Sequence, residues 1–241
     1  MKTDDWTPLL IGTVGSTAYG LATPESDVDT LGVAAAPTRE VLSLQPPRDK
    51  KATYVGTQPD VTIHEIGKYL ALALKANPTV TELMWLPEDC YREKHALFGP
   101  ELIKLRKTLL GAHAVRNAYL GYATSQFKKM AHRGDGTFSS DTRNRVAKHA
   151  RHLMRLLTQG AELYLRGEMS VRVEHPEDYH EFGQLVQNDP ERGLEVAKQK
   201  LATAEHIFDE LTSPLPDEPD PAEAERWLLD VRVYFLNGTG F

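Results

Sequence analysis

A single cysteine, Cys90, occurs among the 241 residues, so no intramolecular disulfide and no cysteine-rich metal cage can form. That scarcity fits a reducing compartment, and Cys90 itself reads as a small buried apolar residue. No apolar run approaches the roughly 18 residues that a membrane helix needs, so no membrane partner is expected. The opening MKTDDWTPLL lacks the apolar stretch of a signal peptide, and the expected location is the cytoplasm. Aromatics amount to only 8%, and Trp6, Trp85 and Trp227 are expected as core anchors rather than platforms for stacked bases. The histidines show no zinc-ligand spacing: His149 and His152 stand three apart with no third ligand at a usual distance. What is present is ordinary for a globular protein, with 41% hydrophobic and 26% charged residues. That composition excludes disorder over most of the chain.

Charge is unevenly distributed within a net −6. Residues 101–172 carry 14 basic and 5 acidic side chains, whereas residues 173–225 carry 3 basic and 15 acidic ones. A basic segment in an acidic protein points to an anionic ligand such as a nucleotide or RNA. It also permits neutralisation of one segment by the other within the fold.

The first hundred residues mix strand and helix signals. Leu9–Val14 is a short apolar run with β-branched residues, ended by Gly15, and predicts a strand running into a tight turn. Val28–Val33 alternates apolar and polar, as a half-buried strand does. Val61–Ile63 is a third strand candidate. Gly67–Lys75 is rich in Ala and Leu and predicts a helix, which Asn77-Pro78 closes. Thr79 is then expected to cap a further short helix through Glu82, Leu83 and Leu86, with Glu82 three residues on as a capping-box residue. Beyond residue 98 the segments 99–110, 112–131, 142–166, 190–212 and 221–236 have helical spacing or composition, with a loop at 133–141 and a proline- and acid-rich linker at 214–221. Val146, Ala150, Leu153 and Leu157 form one apolar helix face. The outline is a small domain of strands and helices followed by a helical bundle.

The chemistry is concentrated in VGSTAYGLATPESDVDTLGV, residues 14–33. A strand delivers Gly15 and Ser16; ten residues separate Ser16 from Asp27, and Asp29 follows Val28. On a strand Asp27 and Asp29 face one way and Val28 the other, toward the core. Two carboxylates so close repel unless a cation lies between them, and Mg²⁺ suits such oxygen donors. Gly15 allows close backbone approach to a ligand, and Ser16 offers a hydroxyl and an amide to a phosphate. Together these suit metal-assisted phosphoryl or nucleotidyl transfer.

This stretch resembles the signature of the DNA polymerase β-like nucleotidyltransferase superfamily, in which Gly-Ser is followed about ten residues later by Asp-x-Asp. The match is closest to the RNA-ligase-associated subgroup of predicted nucleotidyltransferases, with Tyr19, Gly20, Ser26, Asp27 and Asp29 in matching places. The resemblance extends through PDVTIHEIGKYLALALKANPTVTELMWLP and KHARHLMRLLTQGAELYLRGEMSV, so it covers much of the first 175 residues. It implies an α+β fold: a small nucleotidyltransferase domain with a mixed sheet over residues 1–98, then a C-terminal helical domain over 99–241.

The resemblance also implies roles. Asp27 and Asp29 bind Mg²⁺, with Mn²⁺ as a substitute. Gly15 and Ser16 hold the triphosphate of an NTP, with Tyr19 and Ser26 at the nucleotide. A third metal-binding, catalytic carboxylate helps deprotonate the acceptor hydroxyl. Asp60 matches the pattern best, although Pro59 replaces the usual apolar residue before it; Glu65, at the far end of the same strand, is the rival. Glu82 shares the subgroup's NPTVTEL pattern and is a candidate acid or base, or a helix-capping residue. Lys148, His152 and Arg155 stand at i, i+4 and i+7 on one helix face and suit the triphosphate or an RNA phosphate.

The leading expectation is therefore an Mg²⁺-dependent enzyme that moves an NMP from an NTP to a hydroxyl and releases pyrophosphate. An RNA end, either tRNA or a broken strand, is the acceptor that the subgroup's association with RNA ligases suggests. The alternatives are a non-catalytic nucleotide-binding regulator or toxin–antitoxin component of the same fold, and a nuclease or phosphatase using the same carboxylates.

Overall fold

A computed structural model of the chain describes residues 5–24, 26–57, 59–131 and 140–238. They form two compact units, one within residues 1–111 and 218–241 and the other within residues 112–217.

The first unit is built on a five-stranded sheet of order β3-β4-β2-β1-β5. Its strands are β1 (Thr7–Val14), β2 (Asp29–Ala35), β3 (Thr53–Thr57), β4 (Asp60–Glu65) and β5 (Tyr91–Lys94). β2 pairs antiparallel with β1 and parallel with β4, which makes the sheet mixed and the fold class α+β. β2 occupies the centre. From Thr30 onward it is buried on both faces, so the alternation expected over 28–33 gives way to the near-continuous apolar run of a strand covered on both sides. β3 and β5, both short edge strands, lack a strong sequence signal and were not anticipated.

Helices complete this unit. The tight turn expected after β1 is a five-residue helix, α1 (Gly15–Tyr19), closed by Gly20 in the left-handed conformation. α2 is Thr38–Val41. α3 (Ile66–Ala73) falls where the Ala/Leu-rich run predicted it, and Glu65 caps it by accepting from the Gly67 amide at 2.8 Å. α4 (Pro78–Thr81) is capped by Asn77, whose Oδ1 accepts from the Thr79 amide at 3.1 Å. Pro78 occupies the first turn, where its missing N–H costs nothing. Thr79 is thus a receiver of the cap rather than its donor, and the expected box with Glu82 does not form. α5 is Phe98–Leu105.

The last helix, α10 (Pro221–Gly238), also belongs to this unit. The Trp227 indole donates to Glu101 Oε2 at 3.0 Å, Thr38 Oγ1 donates to the Arg232 carbonyl at 2.8 Å, and Arg232 pairs with the buried Glu65. The partition expected at residue 98 therefore differs from the observed one at α5 and α10. Contacts made by single residues far apart in sequence hold α10 to α5, to α2 and to the end of β4, and local helical spacing does not reveal them. All three tryptophans are buried.

The second unit contains α6 (Ala112–Ala131), α7 (Ser140–Arg166), α8 (Pro176–Asn188) and α9 (Pro190–Glu210). Val146, Ala150, Leu153 and Leu157 are buried, as the apolar face of α7 requires. α8 was not anticipated, although Pro176 in its first turn, Glu177 and Asp178 after it, and buried Tyr179, Phe182 and Val186 at helical spacing are its signals. Arg116 on α6 pairs with Asp209 on α9 at 2.6 Å, a case of the basic segment meeting the acidic one. The loop expected at 133–141 lies for the most part outside the described residues.

Candidate active site

The geometry centres on the point where β1 passes into α1. Val14 pairs with Asp29 across the antiparallel ladder. Gly15, the next residue, has φ 68°, a conformation that side chains other than glycine's adopt only with strain. A Cβ on residue 15 would lie 2.3 Å from Asp29 Oδ2. The glycine therefore serves two needs, the backbone turn and the space that the Asp29 carboxylate occupies.

β2 begins at Asp29, so Asp27 and Val28 precede the strand rather than lying within it. Asp27 is exposed, and Val28 is 46% exposed. The expectation that Val28 anchors the motif in the core is corrected. Alternation requires strand pairing, and pairing starts one residue later. Ser26, next to Asp27, closes a small loop: its Oγ accepts from the Thr23 amide at 2.9 Å.

The two rival carboxylates sit at opposite ends of β4. Thr30 pairs with Val61 as the first rung of the parallel ladder, so Asp29 and Asp60 each stand one residue before it, at the same end of neighbouring strands. Asp60 is exposed. Glu65 is buried, caps α3 and pairs with Arg232; five residues of extended chain put it about 16 Å from Asp60.

Tyr19 and Glu82 are brought together. The Tyr19 hydroxyl donates to Glu82 Oε2 at 2.6 Å, and both side chains are buried. Burial pushes the Tyr69 phenol well above its ordinary range, with Tyr91 and Glu82 adding to the shift. Burial likewise pushes Tyr91 up to about 12. Neither phenol ionises near neutral pH, and their hydroxyls donate to the Val80 and Leu83 carbonyls at 3.2 and 3.0 Å.

Lys148, His152 and Arg155 all lie on α7 in the second unit. They do not form one solvated face: Lys148 is exposed, but Arg155 is only 1% exposed. The Arg155 guanidinium donates to Gln159 Oε1 at 2.5 Å and lies 3.2 Å from His152 Nδ1. Gln159 in turn donates to the Ser170 and Val171 carbonyls at 3.1 and 3.2 Å. Burial, followed by Arg155, pushes His152 down to about 3, so it is neutral at physiological pH. Gln159, one turn further along α7, ties Arg155 to the chain that follows the helix, a link that spacing along the helix does not reveal.

A residue the sequence reading passed over stands near the motif. The Arg92 Nε donates to Thr13 Oγ1 at 2.8 Å, next to the end of β1. Its placement depends on β5, which carries little strand signal of its own.

Among the described residues no three His, Cys, Asp or Glu side chains are grouped closely enough to enclose a metal ion. Mg²⁺ does not need such a cage. It is commonly held by one or two carboxylates, with substrate phosphates and water completing its shell. Asp29 seated against Gly15 and the exposed Asp27 two residues before it are oxygen donors of the type that ion takes.

Comparison with known proteins places this geometry in context. The profile of the RNA repair pathway DNA polymerase beta family (RlaP) matches residues 3–223. A nucleotidyltransferase-like protein of known structure from Exiguobacterium sibiricum 255-15 is 13% identical, with 94% of this chain and 73% of that one covered and a TM-score of 0.30. No curated protein matches.

Proposed function

The chain belongs to the RNA repair pathway DNA polymerase β family, and from that membership and the arrangement around Asp29 we propose that it transfers an NMP from an NTP to a hydroxyl acceptor. The observation that carries this reading is the Asp29 carboxylate occupying the space left by Gly15. It sets a carboxylate of the kind that suits a metal ion beside the strand-to-helix turn that bears Ser16.

In this reading Gly15 and Ser16 receive the triphosphate through backbone and hydroxyl groups. Asp27 and Asp29 hold Mg²⁺, which when bound offsets charge on the reacting phosphate and on the leaving pyrophosphate. Asp60, at the same end of neighbouring strands as Asp29, accepts the proton of the acceptor hydroxyl. The acceptor oxygen then bonds to the α-phosphorus as the bond to the bridging oxygen breaks, and pyrophosphate departs with that electron pair. Burial, helix capping and ion pairing give Glu65 a structural task instead. Exposed Lys128, Lys129, Arg145 and Lys148 on α6 and α7 support a polyanionic acceptor, with an RNA end as the preferred one.

The test is incubation with each α-labelled NTP, Mg²⁺ and a pool of RNA, protein and small-molecule acceptors. Label is expected in an RNA-sized product with the parent protein and in none with Asp27→Asn or Asp29→Asn. Nucleotide binding without transfer would instead select the non-catalytic reading. Near-normal turnover in either variant would remove these aspartates from the metal site.

A further inference from the structure

α1 cannot hold itself in place. Five residues make little more than one turn, too short for a helix to be stable on its own. Val14 before it supplies no side-chain cap, and Gly15 brings the conformational freedom of glycine to the start of the helix. Yet α1 carries Ser16, and its first residue lies against Asp29.

Two features at its far end supply the missing restraint. Gly20 turns the chain out of the helix, and its amide donates to the Thr17 carbonyl at 3.3 Å. Tyr19 enters the interior and donates its hydroxyl to Glu82 Oε2 at 2.6 Å. A hydrogen bond to a carboxylate is shorter and stronger than one between neutral groups. Glu82 itself is 3% exposed, and a buried carboxylate is costly unless it is hydrogen-bonded. Its side chain does not cap the N-terminus of α4, since that of Asn77 does.

We propose that Glu82 is a positioning residue for the nucleotide: by accepting the Tyr19 hydroxyl it fixes α1, and so sets Gly15 and Ser16 against Asp29. This rests on the reading of Gly15 and Ser16 as the triphosphate-binding elements. It assigns Tyr19 an inward role. Tyr19 and Glu82 act on the nucleotide through α1 and do not touch it.

Three full-length variants test the proposal. Tyr19→Phe keeps the ring and removes the donor, Glu82→Ala removes the acceptor, and Glu82→Gln keeps an acceptor oxygen. Amide hydrogen exchange over residues 15–20 is measured without nucleotide, together with melting temperature. Affinity for each of the four NTPs with Mg²⁺ is measured alongside kcat. In Tyr19→Phe and Glu82→Ala, exchange over 15–20 should rise about tenfold or more while β2 and α3 keep parental protection. NTP affinity should weaken about five- to tenfold, with kcat falling less. Glu82→Gln should lie closer to the parent in both. Should Glu82→Ala not fold, Tyr19→Phe and Glu82→Gln still decide the matter. Unchanged exchange over 15–20 in Tyr19→Phe would overturn the proposal, as would loosening of the whole first unit to the same degree. A parent protein that binds none of the NTPs would refute the nucleotide reading and with it the purpose assigned to Glu82, while the exchange data would still show whether Glu82 holds α1.

Discussion

The carboxylate of Asp29 stands where a side chain on residue 15 would be, with Oδ2 only 2.3 Å from the position of a Gly15 Cβ. Any larger residue at 15 must displace Asp29 or move the turn, and must also adopt φ 68°. The conformation alone costs about 1–2 kcal/mol. Gly15→Ala is therefore expected to lower the melting temperature by a few degrees and to reduce transfer far more than that loss of stability accounts for. Thermal melting with labelled transfer checks it. Parental turnover would mean that the Asp29–Gly15 contact is unrelated to the reaction.

Asp60 and Glu65 should separate cleanly. Asp60 is exposed, so Asp60→Ala is expected to leave the fold within about 0.5 kcal/mol of the parent. Its kcat should fall at least a hundredfold, with NTP affinity little changed, as loss of the general base proposed for the acceptor requires. Glu65→Ala leaves Arg232 without its carboxylate and α3 without its cap. Breaking a buried pair this way costs about 3–5 kcal/mol. Denaturant unfolding and steady-state kinetics read both, and a stable, inactive Glu65→Ala would exchange the two roles.

Lys148 and Arg155 occupy one helix but should behave differently. Arg155→Ala removes the donor that Gln159 Oε1 receives within a buried network; an orphaned buried acceptor together with the cavity left behind costs about 2–4 kcal/mol. Lys148→Ala, at an exposed position, should melt as the parent does. If Lys148 meets an RNA acceptor, its loss should raise the acceptor KM and flatten the salt dependence of that KM. An unaltered KM across salt concentrations would exclude the contact.

Acidification should loosen the second unit before carboxylates titrate. Burial, followed by the Arg155 charge, pushes His152 down to about 3, whereas in the unfolded chain it titrates near 6.5. The unfolded state binds the extra proton first, so stability is fully present above that value and falls as pH drops through 6.5 toward 3. By pH 5 this histidine alone should remove about 2 kcal/mol. His64, pushed down to about 4 by burial and Lys68, acts in the same direction on the first unit, less strongly because it is more exposed. Denaturant unfolding at a series of pH values should show a shallower slope for His152→Gln than for the parent. An identical slope would show that His152 is not held neutral by the fold.

Several features follow from the sequence by itself because their causes are local. The strand and glycine turn that open residues 14–33 announce themselves by spacing, as do α6, α7 and α9 by helical spacing or composition. Burial of Trp6, Trp85 and Trp227 follows from the size and apolarity of the side chain. Tertiary structure alone decided the rest. Val28 is exposed because strand pairing begins only at Asp29; α10 joins the sheet unit through Trp227 and Arg232; and Glu65 is occupied by Arg232, 167 residues away in sequence. Arg155, spaced like a surface residue, is enclosed by a network reaching Ser170 and Val171. Glu82, which sequence alone left between capping and catalysis, receives Tyr19 from 63 residues earlier. Hydrophobic period and turn chemistry act over a few residues and can be read along the chain. The partner of a buried charge is set by which distant segment packs over it, and no local spacing encodes that.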